Sequence, residues 1–322
     1  MPGYDVKIKL LEMVKERGGF VNAHAHFDRA YTLTEENFHL SKLGVQEKWQ
    51  HNAAISKAST VDQIFERMAK ATEVMLAQGV QAAGTFIDAY PGVEDKAIKA
   101  AARLREEYGR QIRLVFINQP LQGLLDPQAR QYFELAADFV DILGGLPSRD
   151  GDRAEEHLDI LFETAKKQGK MAHVHVDQLN LPSERETEML VRKTVEHGLQ
   201  GRVVAVHGIS IAAQQLEYRR QLYQKMAAAG IMVVSNPTAF IDDPRKEDLA
   251  PTHNAITPVD EMVAAGITVA MGTDNINDLH KPFTDGDMWT ELRLMLEACR
   301  FFDLEALADI ATVNGLKVLG LI

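Results

Sequence analysis

The feature that most constrains this chain is a repeat: eight short β-rich runs separated by amphipathic helical stretches. The runs are FVNAHAHFD (20–28), VQAAGTFIDA (80–89), IRLVFINQP (112–120), FVDILGGLP (139–147), MAHVHVDQ (171–178), RVVAVHGIS (202–210), IMVVSNPTAF (231–240) and ITVAMGTDN (267–275). Between them lie helical patterns such as residues 60–79, opened by a Thr60 cap and closed by Gly79, and 93–109, which also closes on a glycine. Eight buried-type strands alternating with helices predict a (β/α)8 TIM barrel, and 322 residues lie within the range of one such barrel. The rival is a doubly wound open sheet, which calls for a glycine-rich phosphate turn after an early strand; this chain has none. The expectation is one catalytic barrel spanning residues 1–322.

The polar residues of these runs are not scattered. His24, His26, Asp88, Gln119, His175, His207, Asn236 and Asp274 fall at or just beyond the C-terminal ends of different strands. In a barrel those ends converge on the face that carries the active site. His24 and His26 sit at i and i+2, so their side chains leave one face of a strand about 7 Å apart along the chain.

Imidazole with carboxylate suits a divalent transition metal, zinc first, with iron or manganese as alternatives. The predicted ligands are His24, His26, His175 and Asp274. Of the pair in HVHVDQ, His175 lies nearer the strand's end; His173 is expected one layer deeper, in a structural role. His207 is open between a further metal contact, a general acid or base, and a group that polarises a bound water. Asp274 ends an apolar strand, where an unpaired carboxylate is costly; a metal or a proton-accepting role offsets that cost. His39, His51, His157, His197 and His253 are expected to be solvated, and Asp28 and Asp88 to orient loops or hold ligating histidines.

Composition narrows the partners. The net charge is −11, from 35 basic and 46 acidic residues, with no basic block. Nucleic acid and anionic membranes are therefore not expected partners; a small-molecule substrate is, and a homo-oligomer is compatible. Cys299 is the only cysteine, which excludes an intrachain disulfide and fits a reducing compartment. The charged N-terminus does not read as a secretory signal, and no apolar run approaches a membrane span, so the expected location is cytoplasmic.

HxH after the first strand, His after the fifth, His after the sixth and Asp after the eighth resemble the amidohydrolase superfamily. The stretches HAHFDRAYT, GVQAAGTFIDA, HVHVDQ, VSNP and ITPVDEMVAAGITVAMGTDNINDLHKPFTDGDM bring the likeness closest to its cytosine-deaminase-like branch. That resemblance implies His24, His26, His175 and Asp274 as metal ligands, with His207 touching the metal-bound water or the substrate. The fourth strand has no lysine to be carbamylated, so one metal is implied. Two departures stand out. Gln178 occupies the place, three residues after the strand-5 histidine, where the branch usually has a proton-carrying glutamate. The accessory β-sandwich also finds no material in the short ends, which marks either a trimmed chain or a barrel-only relative.

The function expected is hydrolysis of a C–N bond in a small cyclic or heteroaromatic substrate by a metal-bound hydroxide. Asp274 would carry the proton and His207 would stabilise the developing charge. Gln178, Gln122, Asn275 and His280 are the candidates for holding the substrate. The alternatives are a cyclic amide hydrolase of the lactam type and a non-catalytic descendant that binds metal or ligand.

Overall fold

The computed structural model describes residues 3–241, 256–299 and 301–322. The strands are β1 (Phe20–Ala25), β2 (Val80–Asp88), β3 (Arg113–Gln119), β4 (Leu143–Gly145), β5 (Ala172–Val176), β6 (Val203–His207), β7 (Met232–Ser235) and β8 (Val269–Met271). All pair in parallel and in chain order, as β1-β2-β3 and β4-β5-β6-β7-β8. Single bridges join the two groups: Ile117 with Ile142 between β3 and β4, and Ala25 with Asp274 between β8 and β1. The circuit closes as a (β/α)8 barrel.

At both thin seams a buried asparagine side chain replaces the missing ladder. Asn118 accepts from the Gly144 N–H at 2.9 Å and donates to the Gly144 carbonyl at 3.1 Å. Asn22 accepts from the Thr273 N–H at 3.1 Å and donates to its hydroxyl at 2.9 Å. An amide carries the same donor and acceptor as a peptide unit, so it satisfies backbone groups that would otherwise be buried unpaired. The strands also approach too closely here for side chains. A Cβ on Gly144 would lie 1.8 Å from the Asn118 carbonyl oxygen, and one on Gly272 would lie 2.5 Å from that of His24.

The observed strands are shorter than the apolar runs. Phe139 ends a helix, so β4 keeps only three residues of the expected nine. β7 stops at Ser235 because the chain turns at Asn236, whose carbonyl accepts from Ala239. β8 stops before Gly272, and Asp274 adopts a left-handed conformation with φ 57°.

The helices that position the site are α1 (Val6–Glu16), α2 (Val45–Ala58), α3 (Val61–Ala77) and α4 (Lys96–Tyr108). Thr60 caps α3 as predicted, accepting from the Gln63 N–H at 3.2 Å. Residues 6–16 form a helix rather than a sheet, and among the described residues every strand belongs to the barrel. The end of α2 is anchored by Lys96, whose ammonium donates to the carbonyls of Lys57 (2.7 Å) and Ser59 (2.9 Å). This fixes α2 across the C-terminal ends of the strands.

The barrel interior is filled by Val21, Ala23, Ala82, Phe86, Val115, Ile117, Val204, Val234 and Ala270, with Val318 and Leu319 in the same cluster. A larger apolar layer packs the strands against the surrounding helices. No helix among the described residues is long and apolar enough to cross a membrane.

Candidate metal centre and active site

Above the apolar interior, Phe86 supports a ring of imidazoles. Its centroid lies 4.8 Å from that of His24 and 4.7 Å from that of His175. The His24 centroid is 5.0 Å from His26, 5.0 Å from His175 and 5.3 Å from His207. Asp274 Oδ1 lies 3.3 Å from His24 Nε2 and 3.2 Å from His26 Nε2. Ligand atoms of His24, His175 and His207 fall within 4.8 Å of one another, as do those of His24, His26 and Asp274. Residues up to 250 positions apart thus share one buried cluster. Asp274 and His207 hold left-handed backbone conformations, φ 57° and 74°, a strain that the packed strand ends sustain.

The donor set suits a cation. Burial, then the nearby charge of Arg29, pushes His26 well below its usual pKa; burial, then the His24 and His207 rings, does the same to His175. Burial would raise Asp274, but hydrogen bonds from His24 and His26 outweigh it and hold the carboxyl well below the usual range. Neutral His26 and His175 therefore stand beside an ionised Asp274. Both ring nitrogens of His175, and Nδ1 of His24, are buried without a hydrogen-bond partner, an arrangement that is costly unless something takes their lone pairs. One feature requires rearrangement. Arg29 donates to His26 Nδ1 at 2.6 Å, which puts the ring proton on Nε2; ligation through Nε2 requires that proton on Nδ1 and Arg29 drawn back.

His207 is pushed down to about 3 by burial. Asn236 approaches its Nδ1 at 3.1 Å and, with the amide oriented to donate, leaves the ring proton on Nε2. His173 lies one layer deeper, as expected, with Nε2 2.7 Å from the Val318 carbonyl oxygen. Asp28 orients its neighbour strand by accepting from the Asp88 N–H at 2.7 Å, and Asp88 in turn accepts from Ser56.

Gln178, Asn275 and His280 line the cavity above the cluster, as do His26, His175, His207 and Asp274. Gln178 sits on a loop fixed from below. Asp177 accepts from the N–H groups of Glu186 (2.8 Å) and Thr187 (3.2 Å), while Glu184 accepts from Leu179 (2.8 Å) and pairs with Ser210. Gln122 does not join them: β3 ends at Gln119, the chain turns through Pro120, and Gln122 points to solvent. Gln119 lines the cavity instead.

Arg29, Trp49 and Phe240 also line the cavity and were not expected. They come from a turn, the α2 crossing and a loop, none of which carries a strand-end signature. The space open to water between these walls is about 30 Å³, room for about one or two waters.

His39 is exposed and His51 half-buried, but two of the other expected solvated histidines are engaged. His157 is fully buried, accepting from the Leu146 N–H at 3.1 Å and pairing with Asp150 at 2.6 Å. His197 pairs with Asp159 at 2.7 Å. His253 lies outside the described residues.

Known proteins share this architecture. The chain is 49% identical over 263 residues to an uncharacterised protein of Haemophilus influenzae, covering 80% of this chain and 95% of that one. It is 26% identical over 317 residues to the N-isopropylammelide isopropyl amidohydrolase of a Pseudomonas species, covering 94% of this chain and 74% of the relative. The 5-methylcytosine deaminase of Klebsiella pneumoniae, solved with 5-fluorocytosine, superposes with a TM-score of 0.87 at 25% identity, over 94% of this chain and 74% of that one. The amidohydrolase family profile matches residues 18–322, so the chain belongs to the amidohydrolase family.

Proposed function

We propose that this hydrolase binds one divalent metal, with zinc the first choice, through His24, His26, His175 and Asp274. We propose further that it cleaves a C–N bond of a small cyclic or heteroaromatic molecule, with residues 1–322 acting as one catalytic unit. The observation that carries this reading is the buried cluster of four imidazoles around one carboxylate, with both nitrogens of His175 left without partners. When bound, the metal supplies Lewis-acid activation of water, lowering its pKa toward neutrality. Asp274, ionised beside His24 and His26, accepts the proton of the attacking water and returns it to the leaving nitrogen. His207, with its proton on Nε2, donates to the atom on which negative charge develops. Gln178, Asn275 and His280 hold the substrate. The names of the Pseudomonas and Klebsiella proteins support a ring carrying an amino or alkylamino group. The lone Cys299 and acidic balance favour a cytoplasmic setting.

A cyclic amide hydrolase is the second reading, favoured by Gln178. Its amide lines the cavity where a deaminase would use an acid to protonate a ring nitrogen. Metal-loaded protein assayed on aminopyrimidines, aminotriazines and lactams separates the two. Release of ammonia or amine supports the first, and ring opening without it supports the second. Inertness on the whole panel with a full equivalent of metal contradicts both.

A further inference from the structure

Arg29 is an unusual wall for a cavity. It is 4% exposed, yet its Nε and Nη1 make no hydrogen bond, and no described carboxylate forms an ion pair with it. Only Nη2 is engaged, on His26. Asp88, Asp28 and Asp278 act on it through the field alone. Those carboxylates offset the charge, so that burial does not depress the guanidinium, but they do not satisfy its Nε and Nη1 donors, and buried donors without acceptors are costly. Beside it in the same cavity, Gln119 Oε1 is also buried and unbonded. Other charges act at this end of the site, Asp274 against the cations. After burial, Arg29, Lys48 and Lys281 all push His280 below its usual pKa. The rings of Trp49 and Phe240 line the same cavity.

Building on the hydrolase reading above, we propose that Arg29 sets the specificity of this cavity, and that the substrate is a planar ring presenting an anionic oxygen to its guanidinium. The oxygen belongs either to a carboxylate appended to the ring or to an ionised ring oxo group; both offer the acceptor that Nε and Nη1 lack. The neutral Gln178 fits the same picture, because an acid at that position would repel an anionic ligand.

The test measures binding to zinc-loaded protein by calorimetry, with pyrimidine-5-carboxylate, its isosteric carboxamide, and barbiturate, which is a ring oxyanion at neutral pH. Wild type should bind at least one of the two anions about tenfold or more tightly than the carboxamide, the scale of one charge-assisted hydrogen bond. Which anion is preferred distinguishes an appended carboxylate from a ring oxyanion. Arg29→Gln should abolish the preference and Arg29→Lys should keep part of it. If Arg29→Gln does not fold, the wild-type comparison and Arg29→Lys still decide. A preference that survives Arg29→Gln means that the anion is held elsewhere and overturns the proposal. Equal binding of all three by wild type overturns it too, while leaving the hydrolase reading intact. Binding of none counts against the ring substrate itself.

Discussion

Removing the Asn118 side chain should show how much the barrel depends on its β3–β4 seam. Asn118 is 1% exposed, and its amide is the hydrogen-bond partner of both the N–H and the carbonyl of Gly144. Asn118→Ala leaves both groups buried. At roughly 1–3 kcal/mol for each unsatisfied group, the cost is about 2–6 kcal/mol. Against a total stability of about 5–15 kcal/mol that is a large fraction. Urea unfolding followed by far-UV circular dichroism should show the midpoint falling with little change in slope. Asn118→Asp refines the test. It keeps the shape but sets an oxygen against the Gly144 carbonyl, and burial raises the pKa of the new carboxyl. Its neutral form can donate as the amide did. The stabilising contribution is therefore full below the unfolded value of about 3.9 and is lost as pH rises through the raised folded value. Measured against wild type at each pH, Asn118→Asp should recover stability in acid, whereas Asn118→Ala should not. A loss under about 1 kcal/mol for Asn118→Ala, well below the range expected for two orphaned groups, would refute the argument and leave the seam to its single backbone bridge.

Three further outcomes follow from the site. Gln178→Glu should lower turnover of the native substrate by about tenfold or more, by placing charge where a neutral partner is needed; higher turnover would mark a deaminase that had lost its acid. His207→Ala should keep most of its metal while kcat falls roughly 10²-fold, as read by elemental analysis beside steady-state kinetics. Glu291, hydrogen-bonded to Thr238, is pushed up to about 8 by burial. Its proton stabilises the fold fully below the unfolded value of about 4.3, and that contribution is lost as pH rises through about 8. Wild type should therefore lose stability relative to Glu291→Gln between pH 5 and 8 in paired denaturation curves, by up to about 1.4 kcal/mol per unit.

The eight strands and the imidazole cluster were legible because both obey simple rules. Buried parallel strands read as apolar runs, and functional side chains of a barrel stand at their C-terminal ends. What could not be read depends on where the chain turns. Gln119 stands at a strand end and faces the cavity, whereas Gln122, chosen to hold the substrate, lies past the turn at Pro120 and faces solvent. Arg29 and Trp49 reach the cavity because the segment after β1 folds back over the strand ends, a tertiary event without a periodic signature. His157 looks like a surface histidine on a helix until Asp150 and the Leu146 N–H are brought to its ring. Asn22 and Asn118 interrupt apolar strands, and only the closed barrel gives them a role as clasps at the two seams.

Metal content tests the central claim most directly. Purified wild type, His175→Ala and His173→Ala should be loaded with zinc, desalted and analysed for bound metal per chain. The two histidines share a strand, and both are buried, but only His175 faces the cluster, while His173 is spent on the Val318 carbonyl. The account predicts about one equivalent in wild type, since three imidazoles and a carboxylate complete one site, with most of it lost in His175→Ala and most of it kept in His173→Ala. A full equivalent in His175→Ala, or equal loss in both variants, would contradict it.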